Sequence, residues 1–205
     1  MRCVNCGAFS LRMICAACAA NLAECRLSMR QVEGFSVFYY YGYSEIRELI
    51  LSKHHEYGAA VLARIASLSL AKFPRDLQRE ISANPQNYET FKTDGIFKFN
   101  AVPLDDDARS GYSHTAILAR ALKSELIEPK FHCLRAQNRV KYTGQSLEFR
   151  LKHKRNFKIL TPPQFPVILV DDIITSGLSM LQARESLIDG GFMPVCGLVL
   201  ANAKE

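Results

Sequence analysis

The sequence predicts an α/β protein built on a central, mostly parallel sheet with helices on its faces. Three observations carry that expectation. From residue 96 onward, β-prone runs alternate with helix-length amphipathic ones, the order expected of βαβ units. The run Val167-Ile-Leu-Val170 is apolar throughout, as in a strand buried on both faces. The chain has 205 residues, 48% hydrophobic and 22% charged, enough for one ordinary core plus a small appendage.

The appendage comes first. Cys3-Val4-Asn5-Cys6 and Cys15-Ala16-Ala17-Cys18 are two CxxC pairs with eight residues between them. Two residues between cysteines let a tight turn aim both thiolates at one ion, and a second such turn completes a tetrahedral shell. Cys3, Cys6, Cys15 and Cys18 are therefore candidate ligands of a structural Zn²⁺. Gly7 follows the first pair, where a knuckle turn favours a residue without a Cβ. A redox CxxC, structural disulfides and an iron–sulfur centre are the competing uses of such cysteines. The expected division is a four-cysteine module over residues 1–30 and a larger domain over 31–205.

Within the larger domain, residues 35–43 (Phe-Ser-Val-Phe-Tyr-Tyr-Tyr-Gly-Tyr) read as a strand. Ser44 is placed to cap an amphipathic helix carrying Ile46, Leu49 and Ile50 and ending near Lys53-His54-His55. A second helix is expected over 56–72, ended by Pro74. Residues 74–95 are polar and read as a surface insertion or a short helix with loops. Strands follow over 96–102, 131–134, 167–170 and 195–200. Helices are expected over 112–125 and over Leu178–Asp189, the latter closed by Gly190-Gly191.

Twenty-six Lys and Arg against 20 Asp and Glu leave a net charge of +6, which favours phosphates, nucleic acid or an anionic surface. The excess is local. Residues 130–158 carry nine basic side chains against the single acid Glu148. No apolar run approaches the ~18 residues needed to cross a bilayer. Cys, Asn, Gly and Arg interrupt residues 3–12, so no secretory leader is expected there, and the location expected is cytoplasmic with no membrane insertion.

The segment richest in chemistry is Val167-Ile-Leu-Val-Asp-Asp-Ile-Ile-Thr-Ser-Gly-Leu-Ser179. A buried strand delivers Asp171 and Asp172 to the edge of the sheet, and a Thr-Ser-Gly turn opens a helix whose first amides carry partial positive charge. Gly177 admits a close approach to the backbone, and the hydroxyls of Thr175, Ser176 and Ser179 add donors, so the turn can cradle a phosphate. Carboxylates just ahead of it suit the vicinal hydroxyls of a ribose, directly or through Mg²⁺.

This segment resembles the signature motif of type I phosphoribosyltransferases. The resemblance implies that Asp171 and Asp172 face the ribose of phosphoribosyl pyrophosphate (PRPP), with Ile174, Thr175, Ser176, Gly177, Leu178 and Ser179 around its 5′-phosphate. It also implies a pyrophosphate loop over residues 105–111, with Arg109 and Gly111, and a hood over the site at 135–158. The four-cysteine module, Leu51-Ser-Lys53, Val102-Pro-Leu104, Arg109-Ser-Gly-Tyr112, Thr143-Gly-Gln145, Arg150, Asn156-Phe157 and VDDIITSG together resemble the competence protein F family. That likeness implies a protein of natural transformation that handles incoming single-stranded DNA, with contacts to other DNA-uptake proteins. This chain departs from the family in having Ser110 and then Ser113-His114 where an arginine and an amide pair are usual.

In this context the basic segment reads as a single-strand groove, with Arg135, Arg139, Lys141, Arg150, Lys152, Lys154 and Arg155 on the backbone and Phe131, Tyr142, Phe149 and Phe157 interleaved for stacking. The competing reading is a cationic hood that closes over PRPP alone. Two further functions compete with DNA handling: a conventional phosphoribosyltransferase of nucleotide synthesis or salvage, and a PRPP sensor without turnover. No residue is assigned a catalytic role, and Cys3, being in the metal set, is not read as a glutaminase nucleophile.

Overall fold

The computed structural model describes residues 1–104, 111–138 and 155–204. Helix α1 (Ala16–Ala23) leads into an antiparallel hairpin of β1 (Ser28–Val32) and β2 (Phe35–Gly42). Its turn is Glu33-Gly34, both at positive φ (48° and 76°), as a tight two-residue hairpin requires. Helices α2 (Tyr43–Leu51), α3 (Gly58–Leu68) and α4 (Phe73–Ala83) follow, then a ribbon of β3 (Lys92–Thr93) and β4 (Ile96–Phe97). Strand and helix then alternate through β5 (Phe99–Pro103), α5 (His114–Arg120) and β6 (Ile127–Pro129). A second ribbon, β7 (Leu134–Ala136) with β8 (Phe157–Ile159), precedes β9 (Val167–Ile174), α6 (Leu178–Asp189) and β10 (Pro194–Asn202).

Among the described residues the main sheet has six strands in the order β1-β2-β10-β9-β5-β6, antiparallel only between β1 and β2. The expected mostly parallel sheet is therefore present. The chain steps from β5 to β6 on one side and from β9 to β10 on the other. The connections leaving the adjacent carboxyl ends of β5 and β9 thus diverge, and open α/β sheets leave a binding crevice at such a switch point.

Alternation along the strands divides the core between two faces. One buries Ile168, Val170, Leu198 and Leu200 against Leu62, Ile65 and Leu118; the other buries Val167, Leu169 and Val199 under Met180, Leu181 and Leu187. The amino-terminal module shares the first of these cores through Ile14, Cys18, Ala19 and Leu22. It is also tied down at the end of α1, where the Tyr41 hydroxyl donates to the Leu22 carbonyl (2.8 Å) and Lys72 Nζ to the Ala23 carbonyl (2.6 Å). A cation there also complements the negative end of the helix dipole.

Several boundaries depart from expectation. Pro74 begins a helix instead of ending one, because the first turn of α4 has no use for its missing N–H. Residues 74–95 consequently open with an amphipathic helix that buries Leu77 and Ile81. The helix expected over 56–72 breaks at Ser69, followed by a 3₁₀ turn at Leu70–Lys72. The strand expected over 131–134 lies at Leu134–Ala136 and outside the main sheet; the strand in the sheet is β6, three residues long and ending in a proline that an edge tolerates. Strand β1 carries no alternating signal, since only Val32 of its five residues is buried. The helix expected over 112–125 contracts to α5, and the strand expected over 96–102 breaks at Lys98, whereas α6 has its expected bounds. Among the described residues no helix is long and apolar enough to cross a membrane.

Candidate functional site

The four amino-terminal cysteines converge. Their sulfurs all lie within 4.8 Å of one another, and Cys6 Sγ is 3.8 Å from Cys15 Sγ. Zinc–sulfur bonds of about 2.3 Å in a tetrahedron place sulfurs about 3.8 Å apart, so the donor set fits Zn²⁺. No disulfide joins any of the seven cysteines. Gly7 turns the first knuckle at φ 73°, and its amide donates to the Cys3 carbonyl (2.9 Å). The second pair opens α1, where the Cys18 amide donates to Cys15 Sγ (3.5 Å).

The same crowding sets the thiol acidities. Burial works against the Cys3 thiolate, but the amides of Cys15, Cys6 and Asn5 outweigh it and bring the thiol down to about 6. At Cys18 the Asn5 side chain pulls downward, while burial and the sulfurs of Cys6, Cys15 and Cys3 push the thiol up to about 12. Four adjacent thiolates repel one another, and a bound cation is what lets all of them ionise.

The second constellation lies at the switch point. Strand β9 carries Asp171 and Asp172 at its carboxyl end, and the pleat presents neighbouring residues to different sides. Asp172 is 6% exposed and accepts a hydrogen bond from Lys53 Nζ at 2.5 Å. Lys53 reaches it from the 3₁₀ turn Ser52–His54 after α2, and the Tyr112 hydroxyl secures that turn by donating to the Lys53 carbonyl (2.9 Å). Gly58 makes the arrangement possible: a Cβ there would sit 2.2 Å from the Ser52 carbonyl oxygen and 2.4 Å from the Tyr112 hydroxyl. Burial alone would raise the Asp172 carboxyl. Lys53, assisted by His114, more than reverses this and holds it below its ordinary value.

Asp171 is shifted the other way. Burial and then the charge of Asp172 push its carboxyl up to about 7, against the pull of Arg155 and of the Asp172 amide, which donates to Asp171 Oδ1 at 2.9 Å. A carboxyl raised above its unfolded value favours folding most fully below about pH 4, and that contribution is lost as pH rises through 7. Asp171→Asn is therefore expected to raise stability at pH 8 by about 2 kcal/mol, with the gap closing below about pH 4. Urea unfolding at the two pH values measures this, and a pH-independent difference would contradict the assignment.

Beyond the carboxylates the chain turns through Thr175, Ser176 and Gly177 into α6. Gly177 adopts φ 85° and is the N-cap residue, and a Cβ on it would come 2.6 Å from Val32 Cγ1. Ser176 Oγ accepts from the Leu178 amide (3.4 Å). Ile174 is buried beneath the turn, while Leu178 and Ser179 begin the helix half-buried.

The structure thus brings Asp171, Asp172 and residues 174–179 together, with Gly111 on an exposed left-handed turn before α5. Arg109 lies outside the described residues, as do Asp105-Asp106-Asp107, Arg139, Lys141, Tyr142, Thr143-Gly-Gln145, Phe149, Arg150, Lys152 and Lys154. Of the basic segment, Arg135 is exposed on β7, and the Arg155 amide donates to Gln182 Oε1 (2.9 Å), which seats that residue against α6. The β7–β8 pairing continues through Asn138 and Arg155 (3.0 Å), so the two arms of the segment are held side by side. Two tertiary contacts at the site lie beyond a local reading of the sequence: the Lys53–Asp172 pair and the bond that Arg30 Nη1 donates to the Thr175 carbonyl (2.8 Å). Lys53 sits 119 residues from its partner, and its one local signal was the Leu51-Ser-Lys53 stretch. The chain matches no protein-family model and no curated protein.

Proposed function

We propose that the chain binds PRPP at Asp171–Ser179 with Mg²⁺, through a type I phosphoribosyltransferase-like core, and binds single-stranded DNA through residues 130–158. In this reading it is a DNA-uptake protein similar to the competence protein F family, acting in the cytoplasm alongside other uptake proteins. The observation that carries the ligand assignment is the placement of two carboxylates and a left-handed glycine turn on one strand end at the switch point of the sheet. A ribose phosphate spans such a site naturally, its hydroxyls toward the carboxylates and its 5′-phosphate on the amides of the turn. Asp171 is the carboxylate open to Mg²⁺, since Lys53 occupies Asp172, and a hard dication that keeps most of its waters needs one or two such ligands plus substrate phosphates. Bound there, Mg²⁺ would neutralise the pyrophosphate.

Support for the nucleic-acid half is positional. The charge of Arg155 draws the Asp171 carboxyl downward, and the Asn138 amide donates to the Arg155 carbonyl, so the described residues that flank 139–154 lie within electrostatic reach of the proposed PRPP site. Calorimetric titration with PRPP and Mg²⁺ tests the first half: binding that Asp171→Asn weakens tenfold or more supports it, and silence in the unaltered chain removes it. For the second half, the affinity for a labelled oligo(dT) is expected to fall with salt, with reversal of Arg150, Lys152, Lys154 and Arg155 flattening the slope by about 0.7 per lost phosphate contact. An unchanged slope would sink the DNA assignment. Pyrophosphate release on adding a nucleobase to the PRPP complex would instead identify a conventional transferase.

A further inference from the structure

Resting on the ribose-phosphate reading above, we infer that Arg30 is a positioning residue that sets the orientation of the phosphate turn from outside it. The turn can serve a phosphate only if its amides face the ligand and its carbonyls face away. In a trans peptide the C=O of one residue and the N–H of the next point in opposite directions, and no cis bond occurs among the described residues. Fixing a carbonyl therefore fixes the following amide.

Two consecutive carbonyls of the turn are fixed from different elements. The Ile174 carbonyl accepts from the Ala203 amide (2.9 Å), just past β10, which directs the Thr175 amide to the opposite side. The Thr175 carbonyl accepts from Arg30 Nη1 (2.8 Å), which directs the Ser176 amide away from the hairpin. Arg30 is 145 residues from Thr175 in sequence and reaches it from edge strand β1. Its guanidinium is itself held, since the same nitrogen lies 3.1 Å from Asn202 Oδ1, and Asn202 is 4% exposed and braced by the Lys204 backbone.

Val32, two residues along the same strand, packs against the turn as well. It packs so near Gly177 that no Cβ fits, which keeps the left-handed residue against the hairpin. The hairpin therefore acts as a jig: Val32 seats the glycine and Arg30 pins the carbonyl, and the charge of the guanidinium also favours an anion nearby. This explains why a polar edge strand with one buried residue carries an arginine at this register.

The test separates the phosphate turn from the rest of the site by using two ligands. Ribose 5-phosphate reports on the turn, and Mg²⁺-pyrophosphate reports on the region beyond the carboxylates. Arg30→Met is expected to weaken ribose 5-phosphate roughly tenfold or more while leaving pyrophosphate unchanged, with Arg30→Lys intermediate. The ¹⁵N shift of the Ser176 amide on adding ribose 5-phosphate is expected to shrink in parallel. Equal loss of both ligands, or undiminished ribose 5-phosphate binding in Arg30→Met, overturns the inference while the site reading stands. An unaltered chain that binds neither ligand overturns the site reading, and this inference with it.

Discussion

Lys53→Met is expected to destabilise the protein by roughly 3–5 kcal/mol, the penalty for leaving a buried charge without its partner. Asp172 keeps 8% of its side-chain surface in water and Lys53 keeps 20%, so the carboxylate is the more deeply committed of the two. That asymmetry predicts unequal single variants. Asp172→Asn should cost less than Lys53→Met, because the lysine can turn its ammonium toward solvent. The double replacement Lys53→Met with Asp172→Leu should recover most of the loss, since an apolar pair of similar volume avoids the desolvation of both ions. Acid supplies an independent check. A carboxyl held below its unfolded value contributes stability above about pH 4 and loses it as pH falls through the native value, so the parent should be more sensitive to acid than the double variant. Urea unfolding at pH 7 and pH 3 measures all four chains, and a Lys53→Met cost under about 1 kcal/mol would show the pair to be a surface-type contact.

Withholding Zn²⁺ from the four-cysteine cluster that fits it is expected to have the second large effect, and to be felt well beyond residues 1–30. In an autonomous zinc knuckle, chelation would unfold the knuckle alone. Here Cys3, Cys18, Ala19 and Leu22 belong to the same buried cluster as the helices on one face of the sheet, so losing the shell releases part of the core. A cost of about 3–5 kcal/mol corresponds to a fall in melting temperature on the order of 10 °C for a chain of this length. Calorimetry before and after chelation measures it, and Cys3→Ser should reproduce it with loss of bound zinc. Cys25→Ser should retain one zinc per chain, because Cys25 lies by Lys72 and the Leu68 carbonyl, outside the four-sulfur set. Full metal release without a shift in unfolding would contradict the shared core.

The sequence made the periodic and the local features legible. Val167–Val170 can be read as a doubly buried strand because a parallel interior strand has no polar face, and Leu178–Asp189 because a Thr-Ser-Gly turn opens it and Gly190-Gly191 closes it. The cysteine quartet was visible because metal ligation imposes a short fixed spacing. What escaped was either too short or too distant. Strand β6 offers three residues to a pattern of period two, and β1 buries one residue of five. The partners of the Thr175–Gly177 turn and of Asp172 come from residues 30 and 53, brought in by tertiary packing that leaves no trace in local composition. Pro74 is ambiguous as a signal because the same ring that stops one helix is well suited to begin another.

Strand β10 lies between β2 and β9, with Gly197 opposite Val37 and Leu198 opposite Val170. The middle of the sheet is thus filled by residues synthesised some 160 positions after the strand they join. Until they arrive, β2 and β9 each present an unpaired edge and half a hydrophobic face, and the carbonyl of Ile174 lacks the amide of Ala203. Sheet completion is therefore a late, long-range event, intrinsically slow because a large loop must close first. The cysteine module, whose four ligands span sixteen residues, can gather its ion long before that. The nascent chain should accordingly pass through a metal-loaded but sheet-incomplete species, the stage at which exposed edges make it most dependent on chaperones.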